Sequence, residues 1–339
     1  MGKNIASRSV GLEIDTGAVR AVEMVGKAEA PKLVGLGSIN LPKEAVKEGM
    51  VLDPGVVGSA LNELWTEAGL KERRVLLGVS NQGVLVRHIT IPKVPSDKIK
   101  NVVMFQAEEQ LPISLSNVVL DYLILGEIEG SGEAEVELEI LLVAARRDML
   151  DQFLEALSIA NLEPFDIDVS SMAMIRLLPK KAIDMTVAMV NVANGLNSIL
   201  ISAAGKPRLA RLGAVNIIDL AEGLDSSLQD VFSSLQVNKA DANGLLEDWI
   251  SRLASEVRSS ITYYQDQTES SKVEGVLLSG RGALFNGVSA RLENYLNLPV
   301  RSFNPLEAYT PQKRRLLKSD HDAIEYTVSA GLALRGLEG

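Results

Sequence analysis

The sequence predicts an α/β protein: two related domains facing each other across a cleft, with a smaller α/β unit inserted in the first. Three observations carry this. The first is a hairpin that occurs twice. Residues 10–23 read VGLEIDTGAVRAVE and residues 188–202 read AMVNVANGLNSILIS. Each is an apolar strand, a tight glycine-containing turn and a second apolar strand. Glu13-Ile14-Asp15-Thr16-Gly17 aligns with Asn191-Val192-Ala193-Asn194-Gly195, an offset of 178 residues (191 − 13) in a chain of 339. The second is an apolar strand, Val276-Leu277-Leu278, running into Ser279-Gly280-Arg281-Gly282-Ala283 and then a helical pattern. The third is a stretch over 84–162 that alternates strand and helix periods on its own.

The elements follow in order. Strands are expected over 9–14, 18–24 and 32–40, and a helix over 54–68 with Val57, Leu61 and Leu64 on one face. Residues 74–79 and 84–91 are strand-like. Pro92 and Pro95 break that pattern, and Ser96 with Asp97 is expected to cap the next helix, which runs to about Gln110. Strands over 118–125 and 135–144 are joined by an acidic, glycine-containing turn at 127–133, and a helix over 147–161 closes the inserted unit. A helix over 170–178 and a linker over 179–184 lead into the second half. There, helices are expected over 217–235 and 245–265, the second carrying Ile250, Leu253, Ala254, Val257, Ile261 and Tyr264 at helical spacing. A helix over 323–337 ends the chain.

Composition fits a protein with a sizeable core: 46% hydrophobic and 23% charged residues, at a length comfortable for two domains. A net charge of −10 argues against a general binder of nucleic acid or acidic membrane. No cysteine is present, which rules out disulfide and thiol chemistry and fits a reducing compartment. The opening MGKNIASRS leads into an alternating strand rather than an apolar run, so no signal peptide is read, and no stretch of 18 apolar residues occurs. A cytoplasmic protein that reaches any membrane through a partner is expected.

The two facing turns suggest phosphate chemistry. Glycine at 17 and 195 permits positive φ and close backbone approach, and successive turn amides form an anion nest. Gly280 and Gly282 leave room for a flat ligand against the backbone. The two hairpins and the glycine turn resemble the phosphate-1, phosphate-2 and adenosine motifs of the actin, sugar kinase and Hsp70 ATPases. Within that group the chain resembles the PilM family, actin-like cytoplasmic proteins of type IV pilus machines related to the division protein FtsA. The stretches that carry the likeness include GLEIDTGAVRAVEM at 11–24, LPKEAVKEGMVLDPGVVGSAL at 41–61, VRHITIPKVPSDKIKNVVMFQAEEQLP at 86–112 and LASEVRSSITYYQDQ at 253–267. NLPVRSFNP at 297–305 and the terminal SAGLALRGLEG complete it.

The resemblance implies an actin-like ATPase fold of duplicated RNase H-like domains, with an FtsA-like inserted subdomain called 1C. It divides the chain into domain 1A over 1–83 and 163–184, 1C over 84–162, domain 2A over 185–215 and 268–339, and a helical subdomain 2B over 216–267. It also implies ATP and Mg²⁺ in the cleft, held by Glu13, Asp15, Thr16, Gly17, Arg20, Asn191, Asn194, Gly195, Gly280, Arg281 and Gly282. Glu13 stands at the acidic position that holds hydrated Mg²⁺, Thr16 at the hydroxyl, and Arg20 at a basic position on the second strand.

Both turns depart from the family pattern. Asp15 stands at a usual glycine, and a carboxylate beside phosphates repels them by on the order of 1–4 kcal/mol at 4 Å unless Mg²⁺ screens it. Asn191 stands at a frequent acid and Ala193 at another usual glycine. An amide is no general base and a weak ligand of Mg²⁺. Weak or absent hydrolysis is therefore expected, with nucleotide binding itself left open. Arg281 replaces a common third glycine; it could stack on a base or reach a phosphate, and its plain reading is a solvent-facing side chain.

Plainer readings stand beside the others. Glu108 and Glu109 read as a solvated face, Tyr263-Tyr264 as half core and half surface, and the basic run over 313–318 as a solvated loop. His88 and His321 are far apart, and no metal constellation or Ser-His-Asp arrangement is supported. The resemblance implies binding of the N-terminal cytoplasmic tail of the inner-membrane protein PilN in a groove between 1A and 1C, and links to other pilus-machine components. Val86, Ile89, Phe105 and Leu111 are candidate lining residues, with core packing the plainer role for each. Self-association into filaments is compatible with such a fold. The alternatives are a polymerising FtsA-like division protein, against which the missing C-terminal amphipathic helix counts, and an actin-fold small-molecule kinase, which would need an aspartate base where Asn191 and Asn194 stand.

Overall fold

A computed structural model describes residues 8–130, 136–236, 243–267, 270–307, 309 and 322–338. The basic run over 313–318, His321 and the tip of the 127–133 turn lie outside the described residues. The chain begins with an antiparallel meander, β1 (Arg8–Asp15), β2 (Ala18–Lys27) and β3 (Ala30–Asn40). A short ladder, β4 (Val46–Lys47) with β5 (Met50–Val51), precedes α1 (Pro54–Ala68) and β6 (Arg74–Val79). Then come β7 (Val84–Pro92), α2 (Ser96–Gln110), β8 (Val118–Glu129), β9 (Val136–Arg146), α3 (Arg147–Ile159), β10 (Glu163–Val169) and the single turn α4 (Ser170–Ala173). The second half holds β11 (Thr186–Asn191), β12 (Asn197–Ala203), β13 (Lys206–Gly213), α5 (Ile217–Gly223), α6 (Leu228–Gln236) and α7 (Asn243–Gln265). It closes with β14 (Gly275–Ser279), α8 (Val288–Leu296), β15 (Val300–Ser302) and α9 (Thr327–Glu338).

Two five-stranded sheets share one topology. The first runs β10-β6-β1-β2-β3 and the second β15-β14-β11-β12-β13. In each, the central strand pairs antiparallel with the next strand in sequence and parallel with a strand reached by a long crossover. Registers agree as well. Glu13 lies opposite Arg20 and Gly78, and Asn191 lies opposite Ser198 and Ser279. The offset read from the turns thus holds along both hairpins.

Local chemistry explains the elements that matched expectation. In α1, Asp53 accepts a hydrogen bond from Val56 N at 3.0 Å, Pro54 opens the first turn, and Gly69 follows the last residue. Val57, Leu61 and Leu64 are buried on its inner face. In α7 all six residues of the expected stripe are buried against the second sheet, in a core that includes Trp249 and Phe285. Tyr264 lies in this core while Tyr263 is exposed, and Glu108 and Glu109 are exposed on α2.

Several expectations are corrected. Ser96 is the first residue of α2, whose cap is Pro95, and no side chain caps it. The helix expected over 217–235 is two: α5 ends at Gly223, Asp225 takes a left-handed φ of 47°, and Ser227 restarts the chain by accepting from Asp230 N at 3.2 Å. The helix expected over 170–178 is one α turn continued as 3₁₀ over Met174–Leu177, ahead of Pro179. Three strands at sheet edges, β10, β13 and β15, had no counterpart among the expected elements.

Two compact units emerge. One is Gln82–Phe153, with β7, β9 and β8 forming a three-stranded sheet covered by α2. Its core gathers Ile89, Ile91, Val103, Leu111, Ile140 and Leu142. This unit ends within α3: residues from Leu154 onward lie in the other unit, where Ile159 packs on Gly58 and Ala160 O accepts from Arg73 Nη1 at 3.1 Å. The other unit contains both large sheets. Its last helix, α9, packs on the first sheet. Val22, Met24 and Leu33 of the first sheet share a core with Ala330, Ala333, Leu334 and Leu337. The approach is backbone to backbone: a Cβ on Gly11 would sit 2.0 Å from Ser329 O.

Candidate functional site

The ends of β1 and β11 bring the two hairpin turns face to face. Asp15 is buried, and its carboxylate receives four hydrogen bonds. Oδ1 accepts from Thr16 N at 2.7 Å and Gly195 N at 3.4 Å; Oδ2 accepts from Asn194 N at 3.1 Å and Arg20 Nη1 at 3.3 Å. In return, Asn194 Nδ2 donates to Thr16 O at 2.9 Å. The second turn thus forms the expected nest, and the first turn's own carboxylate lies in it.

Behind the turns sits a buried charge cluster. Arg20, 2% exposed, points its guanidinium at Glu13 (3.5 Å), Asp15 (3.3 Å) and Glu325 (3.5 Å). Burial opposes the charge on Arg20, but Glu13, Asp15 and Glu325 outweigh it and raise its pKa above the ordinary arginine value. Burial, countered by Arg20 and reinforced by Asp15, pushes Glu13 up to about 7. Arg281 shares Glu325 at 3.3 Å and lies over the Phe232 ring at 3.9 Å. It is largely buried, so its solvent-facing reading is corrected.

A cavity of about 410 Å³ adjoins the turns, lined by Gly17, Leu41, Lys43, Ile218, Leu228 and Arg281 among others. Its size lies within the roughly 300–1,000 Å³ common for small-molecule sites. Lys43 and Glu222 approach to 3.8 Å beside it.

The expected site residues all gather here, with different roles at several of them. Gly17 has φ 78° and its carbonyl accepts from Leu41 N at 2.9 Å, so the turn needs glycine. Gly195 has no positive φ; it is required because a Cβ would stand 2.4 Å from Thr16 Oγ1. Gly280 has φ 80°, and a Cβ there would meet Val192 O at 2.5 Å. On Gly282 a Cβ would meet Val192 Cγ1 at 2.2 Å. At both glycines the direction a side chain would take is occupied by Val192, just beyond β11. Asn191 accepts from Ser279 Oγ at 3.3 Å, and Thr16 Oγ1 accepts from Gly49 N at 3.5 Å.

Glu325, Phe232 and Lys43 were not anticipated. Glu325 had a signal: it is the one charged residue in the run AIEYTVSAGLAL over 323–334, where an acid needs a partner. Of the candidate groove residues, Ile89 and Leu111 are core, Val86 is half-buried and Phe105 is 60% exposed on α2.

The arrangement can be tested against a nucleotide with Mg²⁺. The cavity has the size for a base and sugar, with Arg281 and Lys43 at its wall. The phosphate position does not fit as it stands, because Asp15 takes the amides of Asn194 and Gly195. Glu13 faces Arg20, and among the described residues no group of three or more His, Asp or Glu side chains could hold a metal ion.

Two sheets of one topology with facing hairpin turns and a glycine turn after β14 define a protein of the actin-like ATPase fold. Residues 11–211 and 234–337 match the family described as type IV pilus assembly protein PilM, and the chain belongs to that family. Among solved structures it is similar to the PilM–PilN type IV pilus biogenesis complex at 26% identity, over 98% of this chain and 99% of that one, with a TM-score of 0.84. More distant likenesses show the fold alone. They include the ethanolamine utilization protein EutJ from Carboxydothermus hydrogenoformans (15% identity, 96% and 89% covered, TM-score 0.57). MreB 5 of Spiroplasma citri bound to AMPPNP is another (10% identity, 96% and 95% covered, TM-score 0.53). Among the described residues, no helix is long and apolar enough to cross a membrane.

Proposed function

We propose that this chain is a cytoplasmic scaffold of a type IV pilus assembly or related secretion machine. It takes up the N-terminal cytoplasmic tail of a PilN-like inner-membrane protein and reaches the membrane through that partner. One observation carries the reading: the end-to-end likeness to the PilM–PilN complex. A short extended peptide can dock through backbone hydrogen bonds and side-chain pockets without any catalytic group. The cleft is read as a nucleotide cleft in descent, supported by the turn geometry and by the AMPPNP-bound neighbour of the same fold. Hydrolysis is not part of the reading. It demands positioned charge at the phosphates, and Asn191 supplies an amide bound to Ser279 instead.

Calorimetric titration of the whole protein with a synthetic tail peptide of the PilN-like protein from the same organism tests the partner. One-to-one binding in the micromolar range or tighter is expected. No binding by a folded sample rejects it.

A further inference from the structure

Asp15 has no task in the scaffold role, yet it is the best-connected carboxylate of the cleft. It is 7% exposed, and it accepts hydrogen bonds from three backbone amides of the two turns and from Arg20 behind them. Two of its four donors are successive backbone amides of the opposite turn, Asn194 N and Gly195 N. Successive amides of a turn are a general receptor for anions, phosphate and carboxylate alike. The fit is close on both sides: the Asn194 side chain returns a bond to Thr16 O at 2.9 Å, and Gly195 leaves no room for a methyl group beside Thr16. Nothing comparable runs the other way, because Ala193 stands at the position equivalent to Asp15.

We infer that Asp15 is a built-in anion that latches the two turns together and takes the place a ligand phosphate would occupy. A phosphate brought to Asn194 and Gly195 would share both the amides and the space with the carboxylate. Two anions so placed in a cleft shielded from water repel strongly. Asp15 must therefore leave the nest before a phosphate enters it. The cleft closes on itself without a ligand, which suits a protein whose task is to hold a partner. The exclusion of phosphate rests on the reading of the cleft as a nucleotide cleft; the latch rests on the contacts alone.

The test compares the full chain with its Asp15→Gly and Asp15→Asn variants in two measurements. The first is amide hydrogen exchange. Asp15→Gly is expected to raise exchange at Asn194 and Gly195 at least tenfold, with α7 unchanged as the control for intact folding. Asp15→Asn keeps the shape and loses the charge, so it falls between. Unchanged protection of the two amides in both variants overturns the latch. The second is calorimetry with Mg-ATP and with inorganic pyrophosphate. Asp15→Gly is expected to bind at least tenfold more tightly than the unmodified protein. Equal affinities overturn the exclusion. Faster exchange in the variant with no binding of Mg-ATP by either protein supports the latch and removes the nucleotide reading of the cleft.

Discussion

In the first sheet, Glu13 lies across from Arg20 at the strand ends; in the second, the same register sets Asn191 across from Ser198. The frames match strand for strand, but the chemistry does not. The first half buries Glu13, Asp15, Arg20 and Glu23. The equivalent positions 191, 193, 198 and 201 are Asn, Ala, Ser and Ile. This asymmetry is what allows the halves to meet. Two charged turns would repel, and two neutral ones would leave amides unpaired, whereas one anion facing one nest satisfies both. A duplicated backbone therefore does not imply duplicated function: one half supplies the charge and the other the receptor.

The comparison can be broken most forcefully at Arg20. Arg20→Met leaves Glu13, Asp15 and Glu325 without their shared cation and is expected to cost about 3–5 kcal/mol. Ser198→Ala, at the equivalent position, removes one hydroxyl that meets Ser80 Oγ at 3.3 Å and should cost no more than about 1 kcal/mol. Urea denaturation of both variants decides the matter; equal losses would mean that the charge asymmetry has no energetic content.

Next in size is the pH dependence of the charged half. Glu13 rises from an ordinary 4.5 to about 7 on folding. The folded chain then holds this proton more tightly than the unfolded one. The stabilisation is complete below pH 4.5 and is lost as pH rises through about 7, on the order of 3 kcal/mol in all. Glu13→Gln should flatten that slope in denaturation curves taken from pH 4.5 to 8. A variant that keeps the full slope would show that another group titrates.

A smaller effect is expected where the turns touch. Gly195→Ala forces a methyl group to within 2.4 Å of Thr16 Oγ1, and overpacking of this kind costs about 1–3 kcal/mol. Gly223→Ala, with nothing within 4 Å of the added carbon, is the matched control and should leave the thermal midpoint nearly unchanged. The smallest is Arg281→Ala, which removes the guanidinium from the Phe232 face and from Glu325, a loss of about 1–2 kcal/mol. A thermal melt within error of the unmodified protein would make Arg281 a bystander.

Much of the frame was legible because its signals are local. The bounds of α1 follow from Asp53-Pro54 and Gly69, and β6 from an apolar run between polar neighbours. The stripe of α7 repeats every three or four residues. The edge strands were illegible for an equally physical reason. β10 reads EPFDIDV, half-exposed and bulged between Pro164 and Asp166, and β15 is three residues long; each exists because its inner neighbour, β6 or β14, offers it hydrogen bonds. The break between α5 and α6 needed the left-handed Asp225, which no periodicity announces.

By itself, the sequence determined the duplication, the offset between the turns, the inserted unit and the residue types at each turn. Those are properties of short windows, in which strand and helix periods and turn chemistry act over a few neighbours. Only the tertiary structure decided that Asp15 meets the amides of Asn194 and Gly195, that Glu325 serves Arg20 and Arg281, and that α9 returns to the first sheet. Apart from Glu325 with Arg281, these contacts join positions about 180 residues or more apart. They form because burying both sheets and satisfying a buried carboxylate leave the chain few other arrangements.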